Sequence, residues 1–154
     1  MPPTRFSFDP AAVQAGILVL PKDDYEFIVG EPRAFTGMNP EGKENYGIRV
    51  QLMVASEGEF KGKRILQNFY LHSEEALPML KSFQLASFGF TGNDEKRFNE
   101  EFAAQNGEWD IDFASGTLGD FWRKLSGLRV AATADVVINK KTGNDQNQFR
   151  WRPV

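Results

Sequence analysis

Residues 46–72, YGIRVQLMVASEGEFKGKRILQNFYLH, constrain the fold more than any other part of the chain. Tyr46, Ile48, Val50, Leu52 and Val54 fall on one parity, and Gly47, Arg49, Gln51, Met53 and Ala55 on the other. Successive side chains of a strand point to opposite faces, so this is a strand with one buried and one polar face. Gly58 and Gly62 mark a turn over residues 57–62, after which Ile65, Phe69 and Leu71 alternate with Arg64, Asn68, Tyr70 and His72. The two runs read as an antiparallel pair with an aliphatic inner face. The outer face would carry Arg49, Gln51, Arg64, Asn68, Tyr70 and His72. Cations, amides and rings on one surface suit a flexible polar polymer with flat, stackable groups, which makes single-stranded nucleic acid the leading candidate ligand.

The remaining elements take their places around this pair. Upstream, Tyr25, Phe27 and Val29 share a parity in a run that continues through Gly30 and Pro32 to Phe35. Proline cannot donate to a sheet ladder, so this strand is bulged, bent or at an edge near Pro32. Residues 36–45, TGMNPEGKEN, form a loop by their Gly, Asn and Pro content. After the third strand, Ser73 with Glu74 and Glu75 starts a helix, since carboxylates suit its positive end. Leu77, Leu80, Phe83 and Ala86 lie along one side of it as far as about Gly89, with Pro78 near its regular start. Phe98 with Phe102 gives a weaker second helical pattern on a charged background. Leu118, Phe121, Trp122 and Leu125 give a third, closed by Gly127. Leu128, Val130, Ala132, Ala134 and Val136 then alternate with polar or small residues, residues 140–146 turn, and 148–152 return as a short strand.

Three strands, a helical interval and two strands is the order of the OB-fold, a five-stranded Greek-key barrel whose strand 2 and 3 surface and flanking loops bind oligonucleotides. The sequence therefore predicts a mainly β chain with an N-terminal arm over residues 1–17, on which Phe6 and Phe8 would dock against the body. A single OB-fold domain would follow over 18–154, with a helical and acidic insertion at about 91–126. The binding loops would be 36–45 and 139–146.

Charge is unevenly spread. Residues 94–120 hold eight acids against Lys96 and Arg97, whereas residues 121–154 hold seven bases against Asp135 and Asp145. A basic groove is thus compatible with a net charge of -3. With no cysteine and one histidine, His72, neither a thiolate metal site nor one built mainly on imidazole can be assembled. The absence of cysteine fits a reducing compartment. The apolar run AGILVL at 15–20 lacks a basic flank and is too short to be a signal peptide or membrane span, so a cytoplasmic location is expected.

Three segments carry a resemblance: LPKDDYEFIV opening the first strand, GEFKGKRI before the third, and GDFWRKLSGLRVAATADV leading into the fourth. Over roughly residues 18–153 the chain resembles the small OB-fold single-stranded DNA-binding proteins encoded by tailed bacteriophages. The resemblance implies a protein that coats single-stranded DNA in phage replication or recombination, without catalysis or cofactor, in the host cytoplasm. It departs from the acidic tail of many such proteins, because this chain ends FRWRPV.

The expected phosphate contacts are Arg33, Lys43, Arg49, Lys63, Arg64, Lys140, Lys141, Arg150 and Arg152, with Gln51 and Asn68 among them on the same face. Tyr70 and Trp151 are the expected stacking rings, set against the alternative that they are core residues; Phe149 shares the parity of Trp151 and should share its fate. Phe35 and Tyr46 either close over a strand or, for Tyr46, begin the inner face. Glu108, Asp110 and Asp112 could gather round a divalent ion, but no calcium loop or HExxH helix accompanies them, and a solvated flank is the preferred reading. The partners expected are single-stranded DNA, with RNA not separated from it, replication or recombination proteins, and no membrane; self-association is left open. A protein-interaction module on the same fold is the alternative function, and a metal-dependent enzyme using residues 108–112 a third.

Overall fold

Gly30 and Pro32 decide how the sheet begins. The computed structural model describes residues 5, 18–38, 41–102, 107–140 and 142–154. The expected first strand is divided into β1 (Asp23–Val29) and β2 (Arg33–Met38), both antiparallel to the long β3 (Glu44–Val54). Val29 faces Leu52 while Arg33 faces Arg49, so the first strand spends one residue more than its partner across the break. This is a bulge at the proline. The Gly30 N–H donates to the Gln51 carbonyl at 2.7 Å, and a Cβ on Gly30 would stand 2.9 Å from that oxygen. Glycine therefore permits the close approach. The loop at 36–45 is shorter than expected, because β2 runs to Met38 and β3 starts at Glu44.

β4 (Arg64–Tyr70) pairs with β3, as the alternation predicts, and β7 (Arg129–Ile138) pairs with both β1 and β8 (Asp145–Arg152). The last strand is thus longer than the 148–152 run. Between β4 and β7 lie α1 (Leu77–Ser87), α2 (Glu95–Phe102), a small hairpin of β5 (Ile111–Asp112) and β6 (Thr117–Leu118), and α3 (Asp120–Lys124). Gly127 follows α3 at φ 87°, the left-handed conformation that ends a helix. Among the described residues no helix is long and apolar enough to cross a membrane.

The sheet is open. Among the described residues β4 pairs only with β3 and β8 only with β7, so no ladder closes the barrel that the strand order predicts. Side chains fill the gap instead. α1 packs on β4, β7 and β8, and Phe83 places its ring 4.8 Å from Phe69 on β4 and 4.9 Å from Trp151 on β8. The inner face holds Phe27, Val29, Ile48, Val50, Leu52, Phe69, Val130 and Phe149, all buried. Small residues sit beside large ones on it: Ala132 lies between Tyr25 and Trp151, and Ala134 faces Phe149. Alternating sizes let the rings interdigitate without voids.

A second, aromatic cluster supports the insertion. Leu85, Phe90 and Phe98 are buried with Phe88, Phe102 and Trp109 against them. Trp122 donates its indole N–H to the Trp109 carbonyl at 2.7 Å, and Trp109 donates to the Phe102 carbonyl. Four of the 14 phenylalanines, Phe88, Phe90, Phe98 and Phe102, thus anchor an acid-rich segment. Apart from Arg5, the N-terminal arm, with Phe6 and Phe8, lies outside the described residues.

Candidate nucleic-acid interface

The bulge at Pro32 resets the parity of β2, so that Arg33 and Phe35 reach the outer face of the sheet. There the register arranges side chains in two rows across the strands. Arg33 stands opposite Arg49, and Arg49 opposite Asn68. Two residues along, Phe35 stands opposite Gly47, and Gly47 opposite Tyr70. A row of two cations and an amide therefore runs beside a row of two rings, about 7 Å away by strand rise.

The ring row is made possible by Gly47. A Cβ there would fall 2.0 Å from the Phe69 carbonyl oxygen and 3.1 Å from the Phe35 ring. With that space open, Phe35 and Tyr70 meet edge to face at 5.7 Å. Tyr70 is 38% exposed and Phe35 partly so, which leaves aromatic surface available to solvent. Arg49 spans the two rows: its guanidinium lies 5.2 Å from the Phe35 centroid, and its Nε–H donates to the Asn68 Oδ1 at 2.9 Å. Arg33 and Arg49 are both exposed, and among the described residues neither pairs with a carboxylate. Like charges directly opposite on neighbouring strands destabilise a sheet. An anion bound between them would relieve that cost.

The rings continue round the end of the sheet. His72, just beyond β4, lies 5.4 Å from Tyr70 and 5.7 Å from Tyr46. The Tyr46 backbone N–H points to the His72 Nδ1 at 3.3 Å. Tyr46 has the parity of the buried Ile48, and its ring meets Phe113 of the β5–β6 hairpin at 5.4 Å. Sequence reasoning did not single out Phe113. The only local signal is the turn-forming run Asp112–Gly116, where Asp112 accepts hydrogen bonds from the Ala114 and Ser115 amides at 3.0 and 3.3 Å.

The other expected contacts are distributed differently. Gln51 is exposed on the same face opposite Leu66, which is 63% exposed. Arg64 faces Met53 at the far end of that face, with Lys63 exposed beside it, about 14 Å of strand from the arginine row. Lys43 is exposed ahead of β3, and Lys140 in the turn between β7 and β8; Lys141 lies outside the described residues.

Arg150, Trp151 and Arg152 are set apart from the two rows, with β7 and β1 intervening. Trp151 is half-buried, its ring packed against the core at the seam. It contacts Phe27, Phe69, Phe83 and Phe149 at 6.2, 6.3, 4.9 and 5.0 Å. Its indole nitrogen is buried without a partner among the described residues. Phe149 shares its face, as their common parity requires. Arg150 lies 3.7 Å from Asp135 and Arg152 3.4 Å from Asp24. The Thr133 hydroxyl donates to Asp24, and with Arg152 it holds that carboxyl below the usual range. This half of the sheet balances its own charge.

Among the described residues no three His, Cys, Asp or Glu side chains are grouped to hold a metal ion. Asp112 is committed to its turn, where the Ser115 hydroxyl, then the Ser115 and Ala114 amides, hold its carboxyl below the usual range. No family model matches the chain. No curated protein matches it in sequence.

Proposed function

We propose that the protein binds single-stranded DNA across β2, β3 and β4 without catalysis. The observation that carries this reading is the cross-strand Arg33 and Arg49 pair, without a carboxylate partner among the described residues, beside the Phe35 and Tyr70 rings. Phosphates would follow the arginine row and bases would stack on the ring row. Stacking needs only the face of a base, so little sequence preference is expected.

An OB-type architecture is part of the proposal. It is supported by the pairing order β8-β7-β1-β3-β4, with α1 wedged between the two outer strands. The resemblance to phage single-stranded DNA-binding proteins supplies the biological role: coating single strands during replication or recombination.

The test is titration of the protein with oligo-dT and with duplex DNA at low and high salt. Tight, salt-sensitive binding to the single strand, weakened by Tyr70→Ala by about 1–3 kcal/mol, is expected. No binding to oligo-dT at low salt would refute it. Leu66, exposed at the middle of the same face, favours a second reading in which a partner protein docks there. Binding of that kind would be lost with Leu66→Asp and would respond weakly to salt.

A further inference from the structure

The insertion turns its phenylalanines inward to different degrees. Phe98 and Phe121 are buried and Phe102 half-buried, whereas Phe113, at the turn of the β5–β6 hairpin, is 37% exposed. The hairpin is not a loose appendage. Ile111 and Leu118 pack on the main core, and the Gly119 and Phe121 amides donate to the Asp110 and Glu108 carbonyls at 2.8 and 3.0 Å. The hydrogen bonds from the Asp112 carboxylate fix the turn itself. This mount holds a partly exposed apolar ring beside Tyr46, and Tyr46 in turn neighbours His72, which neighbours Tyr70. An edge-to-face contact leaves ring faces uncovered, and the 37% exposure of Phe113 keeps stacking surface in reserve.

We propose that Phe113 stacks on a base of the same single strand that crosses Phe35 and Tyr70, making the hairpin the base-side wall of the binding lane. This rests on the proposed function. The charge of the hairpin sets its side: residues 107–119 carry Glu108, Asp110 and Asp112 and no cation. Phosphates are repelled from it and held at Arg33 and Arg49, so the bases turn toward Phe113. Paired bases in a duplex cannot splay onto a ring in this way, and the hairpin therefore selects single strands.

Anisotropy titration of labelled oligo-dT tests this with Phe113→Ala and Phe113→Trp. Phe113→Ala should weaken binding about tenfold while leaving the salt dependence unchanged, since no phosphate contact is lost. Phe113→Trp should restore the affinity and add an indole whose emission the oligonucleotide quenches. If wild-type protein fails to bind oligo-dT, the proposed function falls and this inference with it. If wild type binds and Phe113→Ala binds as tightly, only the role of the hairpin is refuted. Should Phe113→Ala unfold, the tryptophan variant decides: no added quenching on binding overturns the inference.

Discussion

Removing Arg33 and Arg49 should change how binding depends on salt, and removing Arg150 and Arg152 should not. Each phosphate neutralised on a single strand contributes about 0.7 to the slope of log affinity against log salt. Raising salt fourfold, from about 50 to 200 mM, then costs about 2.6-fold in affinity per contact and about sevenfold for two. Arg33 and Arg49 have no carboxylate partners among the described residues, so each brings its full charge to a phosphate. Arg150 and Arg152 already face Asp135 and Asp24. The double variant Arg33→Ala/Arg49→Ala should therefore lose about 1.4 from the slope, and Arg150→Ala/Arg152→Ala almost nothing. Arg49 also gives up its bond to Asn68 and its place over Phe35. Its loss should lower affinity more than that of Arg33 at every salt concentration, with a similar change in slope. Anisotropy of labelled oligo-dT over a salt series measures both quantities. An unchanged slope in the first double variant, or a loss in the second, would refute the assignment of the phosphate path.

Trp151→Ala should destabilise the fold by about 3 kcal/mol, because the ring fills the seam between β4, α1 and β8; an unchanged urea midpoint would return Trp151 to the surface. Gly47→Ala forces a methyl against the Phe69 carbonyl. It should cost about 1–3 kcal/mol in the same assay and also weaken oligo-dT binding by parting Phe35 from Tyr70; a variant that melts and binds like wild type would contradict this. Asp94 accepts from the Thr91 amide and hydroxyl, and those bonds, the amide first, lower its carboxyl below the usual value. A depressed folded value means that its contribution is complete above the unfolded value of about 3.9 and is lost as pH falls through the lower folded one. Asp94→Ala should therefore be less stable than wild type at neutral pH, with the gap closing in acid; a gap that persists at pH 2 would refute this.

The parts of this architecture that were legible in the sequence are those with a period. β3 and β4 announce themselves through strict alternation, and Pro32 announces the break between β1 and β2. The β5–β6 hairpin was not legible, because two-residue strands carry no period and their placement depends on Ile111 and Leu118 finding a core made elsewhere. Parity put Phe149 and Trp151 on one face, but it could not say which, since basic residues flank Trp151 on both sides. α1 decides that question by bringing Phe83 to the seam.

The same limit explains why the expected basic set divided into two. Composition counts Arg150 and Arg152 as readily as Arg33 and Arg49, yet only register reveals which cations face acids. Asp24 and Asp135 reach the β7–β8 side through pairings that span more than a hundred residues in one case and a hairpin in the other. On β2, the bulge sets Arg33 opposite Arg49, and among the described residues no carboxylate pairs with either. A bent first strand thus does two things at once: it wraps the core, and it sets beside the Phe35 and Tyr70 rings a pair of cations that no carboxylate among the described residues neutralises.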